Sequence, residues 1–186
     1  MGLTITEQLD KFVSSYVERA GDNGLIIEFD SQWPSPCIQN AKSEGRVDGT
    51  AVQWTPKLQE PQHSFSNVES AMSITLHPDY CALFTRYYSA NLTAVAEQGQ
   101  CELLQVWNDE DFERLQQNLI GHLLMKQRLK QAPTLFFGLT DEEDFILSII
   151  NDTGEVALEQ VGKEPQQILA SSLAEFLASL TPAPGV

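Results

Sequence analysis

The stretch from Asn108 to Leu129 constrains this chain more than any other. Phe112, Leu115, Leu119, His122, Met125 and Leu129 recur at three- and four-residue steps, the spacing that lines side chains along one stripe of a helix. Asn108 with Asp111 three residues on supplies an N-cap signal, and Pro133 follows the end of the stripe. On both sides of this helix the period drops to two. From Ala82 onward Phe84, Arg86 and Tyr88 alternate, then Leu92, Ala94 and Ala96, and a turn at Glu97-Gln98-Gly99-Gln100 leads into Leu103–Trp107. That pattern predicts a hairpin or meander. Strands Thr134–Gly138 and Phe145–Ile150 follow the helix, then a turn at Asn151-Asp152-Thr153-Gly154 and a return strand Glu155–Leu158. The expected fold is therefore α+β: one domain over residues 1–186, with a largely antiparallel (mixed) sheet flanked by helices. Such a sheet, covered on one face, leaves the other for binding.

Two more helices carry their own start signals. Thr4 and Glu7 form a capping box ahead of Leu9, Phe12, Val13, Tyr16 and Val17; Ser172 and Glu175 do the same for Leu173–Leu180. A shorter helix is expected near Asn67, with Val68, Ala71 and Met72 on one side. Residues 31–66, rich in Pro, Gln, Ser and Gly, read as an ordered surface excursion whose main strand is Ala51–Trp54. A chain of 186 residues that is 42% hydrophobic can bury a real core. No run approaches the ~18 apolar residues of a membrane span, and the N-terminus lacks the blocks of a signal peptide. Cys37, Cys81 and Cys101 have no paired spacing, which suits a reducing compartment.

Charge narrows the function further. Twenty-six acidic against eleven basic side chains leave a net charge of −15, which repels phosphate backbones and anionic lipid and favours basic partners. Lys126, Arg128 and Lys130 form the one basic cluster, placed where cations complement a helix dipole. Asp152-Thr153-Gly154 matches the tripeptide of aspartic proteases but occurs once, in a turn. His77 and Cys81 stand four apart, yet Pro78 breaks the helix that would join them and Cys81 enters a strand. His122, on the apolar stripe, reads as a satisfied core histidine, and His63 has no partner in view. Scattered histidines form no zinc set, the acidic runs lack the glycine of a calcium loop, and no phosphate-binding loop is present. No catalytic residue, metal or cofactor is expected. The runs Asp109-Glu110-Asp111 and Asp141-Glu142-Glu143-Asp144 instead create a field that attracts Lys- and Arg-rich peptide.

A set of short motifs then points to a family. Leu104-Gln105-x-Trp107 and Asp111-Phe112-x-Arg114-x-x-Gln117-Asn118-Leu119-Ile120-Gly121-His122-Leu123 are followed by Arg128-Leu129-Lys130-x-x-Pro133-Thr134-Leu135-Phe136. Ser35-Pro36-Cys37-Ile38, Trp54-x-Pro56, Asn67-Val68-Glu69 and the run from Leu169 to Leu177 bracket them in order. From Ser35 to Leu180 the chain resembles the Syd family, the SecY-interacting proteins of bacteria, whose fold is akin to that of the SMI1/KNR4-like (SUKH) proteins. The resemblance implies a non-enzymatic cytoplasmic protein, loosely associated with the cytoplasmic side of the inner membrane. It would hold basic cytoplasmic loops of SecY in an acidic groove and monitor or restrain improperly complexed SecY. Nucleic acid is excluded, membrane contact runs only through SecY, and the oligomeric state is left open. The acidic candidates are Glu69, Asp109, Glu110, Asp111, Asp141, Glu142, Glu143 and Asp144. An immunity-type inhibitor capping a basic toxin through the same face is the alternative, since many SUKH proteins neutralise toxins.

Overall fold

Helices open where the sequence offers an oxygen to the first free backbone amides. The computed structural model describes residues 2–39 and 46–185. Thr4 Oγ1 accepts from Glu7 N (3.2 Å) at the start of α1, Ile5–Arg19. Asn108 Oδ1 accepts from Asp111 N (2.8 Å) ahead of α4, Asp109–Arg128, and Ser172 Oγ from Glu175 N (3.1 Å) ahead of α5, Leu173–Ser179. Each bond satisfies one amide that the helix itself leaves unpaired. The shorter α2, Ser66–Met72, follows without a side-chain cap.

Seven strands form the central sheet in the order β10-β9-β8-β7-β6-β5-β11. These are β5 (Leu92–Ala96), β6 (Gly99–Leu103), β7 (Thr134–Thr140), β8 (Phe145–Ile150), β9 (Val156–Gln160), β10 (Gln167–Ala170) and β11 (Thr181–Pro182). Every pairing in it is antiparallel. Two ribbons lie outside: β1 (Leu25–Glu28) with β2 (Ala51–Trp54), and β3 (Lys57–Leu58) with β4 (Tyr87–Tyr88). The residue 31–66 excursion is thus ribbon as well as loop. It also reaches inward, burying Cys37, Val52, Trp54 and Phe65 in the same core as Leu9, Leu92, Leu135 and Phe176.

Three expectations need correction. First, Pro78–Thr85 is a helix, α3, not the start of a period-two strand. Tyr80, Leu83 and Phe84 all point into the core, a spacing that fits one turn of helix as well as a strand edge. Pro78 opens this helix rather than breaking one, because its missing N–H is unneeded in the first turn, and His77 is the N-cap. Second, the sheet is covered on both faces. Adjacent residues of β7 meet different helices: the Phe136 ring lies 5.5 Å from His122 of α4, while Phe137 lies 6.0 Å from Phe176 of α5. Third, Lys126 is not a solvated cation at a helix end. It is 1% exposed.

Candidate functional site

Hairpin topology decides where the acidic runs go. β6 begins at Gly99, and a Cβ there would sit 3.7 Å from Asp141 Oδ2, so the β7–β8 turn hangs over the start of β6. The β5–β6 turn carries Glu97 at the same end. The β9–β10 turn joins them, since Gln160 pairs with Phe145 and Val161 N donates to Asp144 O (2.9 Å). One end of the sheet therefore presents Glu97, Asp141, Glu142, Glu143, Asp144 and Glu164, all exposed, with Lys163 as the cation among them. Asp141 to Asp144 are consecutive in the chain, and the antiparallel register adds Glu97 and Glu164 to them.

The first acidic run lies at the opposite end. Asp109 follows the far end of β6, beside Ser89 and Asn91, whose bonds to Val106 O (2.9 Å) and from Gln105 N (3.0 Å) tie the end of that strand to the start of β5. Asp109 accepts from the Tyr88 hydroxyl and lies 2.8 Å from His63 Nε2. Those two bonds, the Tyr88 one foremost, hold its carboxyl below the usual range, while burial and then Asp109 push Tyr88 up to about 12. Asp111 accepts from Trp107 N (2.8 Å), pinning the strand-to-helix corner. Glu110 projects into solvent. Glu69 accepts from Leu76 N (2.9 Å) and closes the loop between α2 and α3. Of the eight acidic candidates, Asp141 to Asp144 are gathered together; Glu69, Asp109 and Asp111 have structural partners elsewhere.

The motifs with catalytic overtones fold into structural work. His77 Nδ1 accepts from Asp79 N (3.2 Å) as a cap, and its backbone N donates to Asn151 Oδ1 (2.8 Å). The Asn151–Gly154 turn thus packs on the entrance to α3, with Gly154 at φ +79 directly against the imidazole. Cys81 is pushed up to about 11 by burial and then by Glu69, and burial also holds Cys37 and Cys101 at about 11. These thiols stay protonated at neutral pH, the opposite of an activated nucleophile. Among the described residues no cluster of three or more His, Cys, Asp or Glu could hold a metal ion.

One polar constellation has no counterpart in the sequence reading. Lys126 Nζ lies 3.0 Å from Glu159 Oε2, with Glu159 fully buried under α4. Thr134 Oγ1 and Ser148 Oγ donate to the two Glu159 oxygens at 3.1 Å each. His122 Nε2 lies 2.9 Å from Thr134 Oγ1, which, already donating to Glu159, accepts from a neutral imidazole. Lys126 also donates to Gln131 Oε1 and Lys163 O, both at 2.9 Å. Burial, ahead of the opposing charge of Glu159, holds His122 below its ordinary value. Lys126 in α4 and Glu159 in β9 have a loop and two whole strands between them in the chain, so only a search for two charges on core faces could have paired them.

The antiparallel sheet lies between helices and presents one strongly acidic end, an α+β architecture. The chain belongs to the Syd family: the family described as Syd protein (SUKH-2) matches residues 6–182. It is 70% identical over 182 residues to Protein Syd of Alteromonas mediterranea, covering 98% of both chains. Protein Syd of Pseudoalteromonas atlantica is 44% identical over 185 residues, again covering 98% of each. That of Colwellia psychrerythraea is 46% identical over 187 residues, covering 96% of this chain and 92% of its own.

Proposed function

We propose that this protein is a non-enzymatic binding protein that takes a basic polypeptide segment, a cytoplasmic loop of SecY, at the acidic end of its sheet. The observation that carries the reading is the convergence of three hairpin turns, which places Glu97, Asp141, Glu142, Glu143, Asp144 and Glu164 around one edge. Cytoplasmic loops of membrane proteins are enriched in Lys and Arg, so they are the membrane surface an acidic chain can approach. No helix among the described residues is long and apolar enough to cross a membrane. Contact with the inner membrane therefore goes through the partner and stays peripheral. Charge complementarity of this kind accelerates encounter and rejects wrong partners more than it raises affinity. Glu110 adds to the field from the other end, while Glu69, Asp109 and Asp111 hold the fold.

The test is binding to membrane vesicles with and without SecY, across a salt series. SecY-dependent binding should fall steeply as the screening length shrinks toward ~8 Å near physiological ionic strength. Replacing Asp141, Glu142, Glu143 and Asp144 together by Lys should abolish it while leaving the melting temperature unchanged. Salt-independent binding, or full binding by the reversed variant, refutes the reading. Recovery of a basic toxin instead of SecY as the cellular partner would favour the immunity-type alternative.

A further inference from the structure

The acidic end of the sheet also contains a hollow that charge alone does not explain. Between the β5–β6 turn, the β7–β8 turn and α5 lies a cavity of about 170 Å³. Its floor is apolar: Leu147 and Leu158 from adjacent strands, Leu169 from β10 and Phe176 from α5. Asp141 and Glu142 stand at its rim, and Ala96 forms part of its wall. Its volume compares with the ~150 Å³ of an apolar cavity large enough to take up benzene. A lysine or arginine head group has no counter-charge on that floor, and burying it there would be costly. The rim, by contrast, offers carboxylates to a cation beside the opening.

We infer that the cavity takes one bulky apolar side chain, of the size of Leu, Met or Phe, from a basic segment whose neighbouring Lys or Arg residues pair with Asp141 and Glu142. This inference rests on the proposed acidic-edge function and deepens it: the partner is a cationic segment with an apolar anchor, not any cationic chain. A single apolar residue buried in a pocket within a charged rim is the usual layout of an interface hot spot. Rim charges bring the segment in; the anchor sets the register and slows its departure.

Two synthetic peptides distinguish the outcomes, both Lys-rich and identical except for a central Leu in one and Ser in the other. The full-length protein should bind the Leu peptide about ten- to a hundredfold tighter at equal ionic strength, the range set by burying one Leu side chain. Ala96→Leu, which fills the wall of the cavity from an already half-buried position, should erase that difference and leave the salt-dependent binding of the Ser peptide intact. Methyl resonances of Leu147, Leu158 and Leu169 in the unaltered protein should shift with the Leu peptide and stay in place with the Ser peptide, a readout independent of any variant. Equal affinity for the two peptides, with no methyl shifts, overturns the anchor inference and leaves the acidic-edge reading standing. No binding of either peptide overturns both.

Discussion

Replacing Lys126 by Met separates two accounts of the same residue. As a cation complementing the dipole of α4 it would contribute about 0.3–1 kcal/mol. In the structure it is the 1%-exposed partner of a fully buried Glu159, at 3.0 Å. Removing one member of a buried pair strands the other charge and costs about 3–5 kcal/mol. For a chain of this length that corresponds to a fall in melting temperature of roughly 6–20 °C. Arg128→Met, two residues on and exposed, should stay within about 0.5 kcal/mol of the parent. Urea denaturation followed by far-UV circular dichroism gives both values. The double substitution Lys126→Met with Glu159→Leu should be more stable than Lys126→Met alone, because no charge is left uncompensated. The same site sets a pH dependence. His122 is held below its ordinary value of 6.5, chiefly by burial, so the unfolded chain takes up a proton that the folded chain resists. Stability should therefore decline as pH drops from about 6.5 toward the lower folded value, and His122→Asn should flatten that slope. A Lys126→Met variant that loses less than about 1 kcal/mol, as a dipole cation would, refutes the buried-pair account.

Two further outcomes test the assignment of acidic and turn residues. Asp111→Ala, which frees Trp107 N from its 2.8 Å bond, should cost about 1–3 kcal/mol in denaturant titrations, whereas Glu110→Ala should leave stability unchanged; equal effects would count against a structural role for Asp111. Gly154→Ala should destabilise by at least about 1–2 kcal/mol, since φ +79 is a left-handed conformation and the new Cβ overlaps the His77 imidazole; Asp152→Asn, exposed in the same turn, should be silent, and a neutral Gly154→Ala would show that the turn does not pack on α3 as described.

Helix α3 shows why some of the fold was hidden. Tyr80, Leu83 and Phe84 span little more than one turn, too short a window for three- and two-residue periods to separate, and its lead-in Pro78 has opposite meanings inside a helix and at its first position. Strands β3 and β11 are two residues each and exist only because Tyr87–Tyr88 and Ala94–Val95 present open edges to them. Of the acidic candidates, the turn Asp141–Asp144 was legible as a group because its four members are consecutive. Its companions Glu97 and Glu164 were not.

What the chain's order of residues determined by itself is what neighbours can encode. The capped helices α1, α4 and α5, the hairpins around β5–β9 and the surplus of negative charge are all written within a few positions of one another, where period, cap and turn chemistry act locally. Tertiary structure alone decided the rest. It joined Lys126 to Glu159 beneath α4 and drew three distant turns to one end of the sheet, with Leu147, Leu158 and Phe176 enclosing a hollow among them. The β6–β7 pairing, made across the whole of α4, brings such residues together, and no turn chemistry beside either strand records it.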